Sequence, residues 1–546
     1  MPHRIFTRYG KIFISRWTHV AVIIILSLVI FYDQKPIYDE RGIHKAIEHT
    51  LRNESTRLDI PSIEKTALAR FYKDRKYSPI WFKEGILSAE AAFIIDLVGR
   101  AKEEGLSSDD YNLDVIDKKA VKATSQSKTD IYLSAIFTRY IDHIHNSRID
   151  KNIVDELWPQ HPDFIDPYKW LQDNAGSNRL LARLFELSPP HYQYERLRNA
   201  LSKLRDIKRK GGWPTLPINS LLKPGQRDSR VKILKQRLVI SKDLDPQYLD
   251  GDLYDDDLRK AVTRFQRRHG ILADGLAGEE SIRAMNVSVD QRMSQIKINM
   301  ERWRLMQRDL GTRHILVNSA GFELIGVDEK EITLQMRVIV GETDLATPVF
   351  SAPITKIIVN PEWHVPRSIS STELLSKVQK NPDYFKDNDF IAYRVDANKR
   401  RTIFDPDQID WASLSEAYFP YEVVQRAGDK NPLGRMKFFI PNFHDIYLHD
   451  TQQRHLFDHV FRNLSHGCIR LEKPKALMRY LLKYDSIWRN ESINSTWESD
   501  KTRTIELKNR VPVHIFYFTT WIDDNGSINF YPDVYAYDER IATLLM

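Results

Sequence analysis

Hydrophobic positions along this chain change their period three times. Between residues 37 and 210 the spacing is helical. In 88–104, Ala91, Phe93, Ile94, Ile95, Leu97 and Val98 build an apolar face near that period, and Gly105 fits a helix stop. Residues 62–73, 129–145 and 192–208 predict further helices. The Gly- and Pro-containing stretch 211–217 reads as a linker. Three short helices follow in 220–287. The first places Val231, Leu234 and Leu238 on one side after a capping Asp228, and the second does the same with Leu258, Val262 and Phe265. From 312 onward the runs are short and β-branched or aromatic: 313–317, 322–327, 333–340, 355–359 and 437–440. Strands 513–518 and 528–530 are expected to flank a turn at Asp524-Asn525-Gly526. Residues 367–430 interrupt this region, with helical stretches at 373–379 and 411–416 and breaks at Pro382, Pro406 and Pro420. They read as an inserted lid. The pattern predicts a multidomain α+β chain.

The N-terminus adds a compartment. Residues 1–16 carry Arg4, Arg8, Lys11 and Arg16 and no acid, and 17–32 are almost wholly apolar. A basic flank before an apolar run reads as a membrane anchor oriented positive-inside or as a cleaved export signal. Either places the rest of the chain in the periplasm, anchored in the inner membrane or exported. At ~100–200 residues per domain, 546 residues suggest roughly three or four domains. A net charge of +7 with no long Lys/Arg block gives no case for a nucleic-acid partner.

The single cysteine, Cys468, alters the reading most. One thiol in 546 residues excludes an internal disulfide and a four-cysteine zinc site. It stands in Ser465-His466-Gly467-Cys468-Ile469-Arg470, after Tyr447-Leu448-His449. A thiol is a nucleophile as thiolate, and a nearby histidine can take its proton. Alternation in a strand puts Tyr447 and His449 on one face. Gly467 lets the backbone approach a substrate, and the backbone N–H groups near Cys468 can serve an oxyanion. Pro474 suits the first turn of a helix whose start would help lower the thiol pKa. The bland alternatives are a small buried hydrophobe or an irregular metal site drawn from His444, His449, His455, His466 and Cys468. No familiar ligand spacing supports the latter, and neither a metal nor a cofactor is expected.

These blocks resemble the active-site signature of the L,D-transpeptidases, and residues 220–287 resemble the small peptidoglycan-binding module of cell-wall enzymes through Val231, Leu234, Arg237, Leu238, Val262 to Gln266, and Asp274-Gly275. Thr347-Pro348, Asn360-Pro361-x-Trp363-x-Val365-Pro366 and Gln425-Arg426-x-Gly428-x-x-Asn431-x-Leu433-Gly434 match further family blocks. The resemblance is to the large, membrane-anchored Gram-negative type. It implies a basic tail (1–16), an anchor or signal (17–32), a helical scaffold (37–210), a peptidoglycan-binding domain (218–288) and a β-rich catalytic domain (312–546) with its lid.

It further implies a 3→3 cross-linking reaction between diaminopimelate residues of peptidoglycan stem peptides, through a Cys468 thioester with release of D-alanine. His449 is the expected base, and Tyr447, Gly467 and Cys468 serve the oxyanion. His466 stands where some large members carry Ser, and Ala427 replaces a frequent Pro. Arg470 either orients the loop or meets a stem carboxylate. Ser465 positions the loop. Trp363 and Asn431 line the substrate groove or serve as a core aromatic and a turn residue. An L,D-carboxypeptidase and a lipoprotein-to-peptidoglycan transferase share the same thioester, while a non-catalytic wall-binding scaffold would not need it. Partners implied are stem peptides, the inner membrane and other cell-wall enzymes. Acylation of Cys468 by carbapenems is expected.

Overall fold

The computed structural model describes residues 40–53, 58–149, 164–175, 180–218, 221–395 and 400–545. The apolar segment 17–32 lies outside them. Among the described residues no helix is long and apolar enough to cross a membrane. The longest described, Ala123–His145, has the length, but Lys128, Asp130, Arg139 and Asp142 interrupt it. The expected inner-membrane anchoring is corrected to that extent: no described helix supplies an anchor.

Helices Glu40–Arg52, Ser62–Asp74 and Ala89–Gly99 pack against Ala123–His145, and Tyr192–Arg209 packs against Val289–Arg304. Local chemistry explains their limits. Ser88 accepts a hydrogen bond from the Ala91 N–H at 3.1 Å and starts Ala89–Gly99. The chain then tightens into a 3-10 turn, Ala101–Glu104, which Gly105 ends at φ +77°. Inside, the wholly buried Asp130 carboxylate accepts the N–H groups of Ile80 (3.1 Å) and Trp81 (2.8 Å) and the Tyr72 hydroxyl (2.6 Å). These bonds pin the chain just before the short strand Phe82–Lys83.

Residues 312–545 build the β domain. Its nine-stranded sheet runs Asn463–Ser465, Glu331–Gly341, Ile469–Leu471, Leu448–His449, Met436–Phe439, Phe350–Val359, Arg503–Phe516, Arg313–Asn318, Glu323–Asp328. The last strand pairs back onto Glu331–Gly341, so the sheet closes and loses most of its free edges. Strand Arg503–Phe516 stays in this sheet, and the partner of Ile528–Phe530 around Gly526 is Thr520–Ile522 rather than the expected 513–518.

Helix Val289–Arg304, opened by a Ser288/Gln291 capping box, joins scaffold and barrel. No amphipathic stripe announces it, because it is buried on several sides. Three of its charges are paired inside: Arg302 with Asp538 at 2.5 Å and Arg304 with Glu301 at 2.7 Å. One continuous core therefore runs from Ile43 in the scaffold to Ile541.

Two other units keep cores of their own. One spans Leu216 to Met285, with helices Arg230–Ile240, Asp256–Arg268 and Glu279–Asn286. Asp255 caps the second through the Leu258 N–H (2.9 Å). The unit meets the C-terminal hairpin where Arg268 donates to the Ile528 carbonyl at 2.9 Å. The other spans Val365 to Val423 within the inserted segment. Its helical stretch covers 367–380, with a π-helical turn at Ser370–Leu374. The helix expected at 411–416 is only the 3-10 turn Trp411–Ser413. A four-stranded sheet, ordered Trp363–His364, Tyr421–Gln425, Phe390–Val395, Arg401–Phe404, was not foreseen.

Candidate active site

Strand Leu448–His449 lies between Met436–Phe439, antiparallel to it, and Ile469–Leu471, parallel to it. Parallel neighbours need a crossover. The segment between His449 and Cys468, with its 3-10 turn Arg454–Asp458, is that crossover and accounts for their spacing. Leu448 is level with Ile469, and the Ile469 N–H donates to the Tyr447 carbonyl at 3.1 Å. Cys468 is thereby set beside Tyr447, at the strand's entrance.

His449 is buried. Its Nδ1 lies 2.5 Å from the Asp450 carbonyl oxygen, which can only accept, so Nδ1 carries the proton and Nε2 keeps the lone pair. Burial, with Arg470 adding to it, pushes the imidazole down to about 3. Tyr447 shares its face, with ring centroids 5.6 Å apart. The Tyr447 hydroxyl interacts with both the Cys468 thiol and the Trp363 side chain, and burial pushes its pKa up.

The Cys468 thiol donates to the Asp445 carbonyl at 3.8 Å, not to His449. Burial pushes its pKa up, against the pull of Tyr447, Lys437 and Arg470. The helix Pro474–Leu482 does begin with Pro474, but the anticipated lowering of the thiol pKa by its dipole gives way to desolvation.

Gly467 adopts φ +106°, a region that favours glycine, and an added Cβ would sit 3.1 Å from Ile446. Its carbonyl accepts the Thr347 hydroxyl at 2.7 Å. Its N–H donates to Ser465 Oγ at 3.2 Å, so it is engaged within the loop rather than waiting for an oxyanion. Ser465 Oγ in turn donates to the Cys468 carbonyl at 2.6 Å. Arg470 donates to Gln453 at 2.7 Å. His466 is exposed, and its Nε2 lies 2.7 Å from Glu373 in the π-helical turn of the insert.

Trp363 starts the insert's sheet, packed beside its core, and reaches Tyr447. Asn431 is completely buried. Its side-chain amide donates to the carbonyls of Pro361 (3.0 Å) and Arg426 (3.1 Å), and its oxygen accepts the Leu433 N–H (2.9 Å). Those bonds tie together the two ends of the insert.

Sequence reasoning passed over three participants. Lys437 stands level with His449 on the next strand, its ammonium 3.6 Å from the Tyr447 ring centroid. Asp445, at φ +54°, supplies the carbonyl that meets the thiol. Glu373 reaches His466 from the insert. A lysine inside the apolar strand run 437–440 was the one available signal. Among the described residues no His/Cys/Asp/Glu group is arranged to hold a metal.

A thiol, a neutral imidazole and a phenol thus stand together on neighbouring strands of the closed sheet. Residues 312–513 match the L,D-transpeptidase catalytic domain, 227–285 the "Putative peptidoglycan binding domain", and 66–201 a scaffold domain. The chain thus carries an L,D-transpeptidase catalytic domain together with a peptidoglycan-binding domain. A Haemophilus influenzae protein named "Putative L,D-transpeptidase" is 37% identical over 227 residues, 42% of this chain and 45% of that protein. The match spans about half the length of that relative. An L,D-transpeptidase structure from Mycobacterium smegmatis aligns over 38% of this chain and 58% of its own, at 11% identity and a TM-score of 0.18. One from Xylanimonas cellulosilytica aligns over 56% of this chain and 100% of its own, at 13% identity and a TM-score of 0.16. Scores this low carry no structural argument.

Proposed function

We propose that this chain is a peptidoglycan L,D-transpeptidase that forms 3→3 cross-links through a Cys468 thioester. The observation that carries the reading is the position of the chain's one thiol, against Tyr447 and beside the strand of a neutral His449. The Cys468 sulfur attacks the carbonyl between diaminopimelate and the terminal D-alanine of a donor stem. A C–S bond forms and the C–N bond to D-alanine breaks. His449 Nε2 takes the thiol proton and returns it to the leaving amine. The side-chain amine of diaminopimelate on a second stem then attacks the thioester, and the thiol is released.

Tyr447 serves the oxyanion, with the Cys468 N–H. Ser465, Thr347 and Asn431 position the loop and the insert. Trp363 and Arg470 border the groove, Arg470 meeting a stem carboxylate. The unit around residues 216–285 holds the polymer. Water or a protein lysine as acceptor would give the carboxypeptidase or lipoprotein-transferase outcome from the same thioester.

Incubation with tetrapeptide muropeptides distinguishes these by product mass. A dimer lacking one D-alanine is the expected product. Tripeptide monomer alone would sink cross-linking, and identical product patterns from wild type and Cys468→Ala would sink the enzyme. Carbapenem treatment should add one drug mass at Cys468.

A further inference from the structure

Pairing register sets three side chains in a row across three neighbouring strands. Lys437 is level with His449 on the antiparallel side, and Arg470 is level with His449 on the parallel side. Residues paired across a sheet share a face, and strands lie about 4.8 Å apart. A buried imidazole therefore sits between two basic side chains.

The two cations are held differently. Arg470 is hydrogen-bonded to Gln453. Among the described residues Lys437 forms no side-chain hydrogen bond or salt bridge. Its ammonium rests on the face of the Tyr447 ring, 3.6 Å from the centroid, a cation–π contact in a largely water-excluded place. Tyr447 in turn meets the Cys468 thiol. Lys437 is thus one ring away from the nucleophile and one strand away from the base.

The other charged or titratable groups facing this pair are few. Asp445 and Tyr447 come from the turn before His449. Asp450 is occupied by the Arg435 N–H and Arg454. Lys356 on the neighbouring strand lies over the Phe439 ring, and Glu342 acts on Arg470.

We propose that Lys437 is a positioning residue that sets the protonation balance of the Cys468–His449 pair, favouring thiolate at Cys468 and neutral imidazole at His449. This deepens the proposed function and rests on Cys468 as its nucleophile. The direction follows from charge. A fixed ammonium stabilises a nearby thiolate and opposes an imidazolium. Lys437 counteracts the upward push of burial on the thiol and reinforces the downward push on the imidazole. His449 then holds the proton only in passing, between the thiol and the leaving amine.

One cysteine in the chain makes the test direct, because every alkylated molecule is alkylated at Cys468. The rate of iodoacetamide addition to the full chain is measured against pH by intact mass. Lys437→Met should slow alkylation at pH 7 roughly tenfold and move the profile's midpoint upward. Lys437→Arg, which keeps the charge, should restore most of the rate. The Lys437→Met effect should persist in a His449→Gln background, since it acts on the thiolate and not through the imidazole. A Lys437→Met profile that overlays wild type would overturn the inference, as would Lys437→Arg behaving like Lys437→Met with unchanged thermal melting. If Lys437→Met fails to fold, Lys437→Gln and Lys437→Arg carry the same comparison. Alkylation needs no peptidoglycan, so failure here and failure of the cross-linking assay are separate results.

Discussion

Scaffold and insert are both attached to the barrel, and the attachments differ in kind. On the scaffold side, Trp303 of the joining helix stacks on Phe518 with centroids 4.5 Å apart, and the Tyr192–Arg209 helix packs along the same helix. The apolar surfaces merge into one core. The insert keeps its aromatic residues, Phe385, Phe390 and Trp411, to itself. The Asn431 clamp ties its two ends together, and it meets the barrel through the Trp363–Tyr447 contact and the His466–Glu373 pair. Merged apolar surfaces cannot part without exposing area to water. A polar seam can exchange its hydrogen bonds for water at little cost. The scaffold therefore holds the barrel's shape, while the insert can alter what stands over Cys468 without disturbing that shape.

Substitutions on the two sides should separate stability from activity. The largest effect is Cys468→Ala, which should reduce turnover by at least about a thousandfold while leaving thermal melting near wild type. Trp303→Ala should destabilise barrel and scaffold together by about 3–5 kcal/mol, read as one cooperative shift in denaturant unfolding. Two separate transitions would break the shared-core half of the comparison.

Acid should strike the same shared core. Burial holds His449 down to about 3 and His514 down to about 4, both below the ordinary value of 6.5. Between those values and 6.5 the unfolded chain binds the extra protons, so stability falls as pH falls through that window. Each histidine should account for about 2 kcal/mol lost by pH 5, and His514→Gln should flatten its share of the melting curve's pH dependence.

On the insert side, Asn431→Ala should cost about 2 kcal/mol, since it leaves buried carbonyls without a donor. Proteolysis near residues 361 and 425–433 should accelerate before the barrel melts. The smallest effect is Glu373→Gln. It should change stability by less than about 1 kcal/mol, as an exposed pair does, yet raise KM for the stem peptide. An unfolding midpoint moved as far as that of Trp303→Ala would erase the distinction between the two attachments.

Legibility followed the same division. The strands between 313 and 340, the strand at 437–440, the turn at Gly526 and the three helices between 230 and 286 carry local periodicity and turn chemistry, and they were readable, whereas the three-residue strands Asn463–Ser465 and Ile469–Leu471 that flank Cys468 were too short to be. Helix Val289–Arg304 was not, because burial on several sides removes the polar face that a periodicity search needs. The insert's sheet was missed because its strands are short and separated by long stretches. The expected helix at 411–416 shrank to one turn because Trp411 is held locally, by its indole N–H donating to the Pro406 carbonyl at 3.0 Å. Lys437 escaped notice because its meaning depends on a register between distant strands.

The sequence alone singled out the candidate atoms: one thiol, one histidine a crossover away, and a glycine beside the thiol. Those are covalent and local facts. Tertiary structure alone decided their state. Burial raised the thiol and lowered the imidazole, the Asp450 carbonyl chose the tautomer, and strand pairing placed Lys437 and Arg470 on either side of His449. Solvent exclusion and cross-strand register are properties of the assembled chain, and no short stretch of residues encodes them.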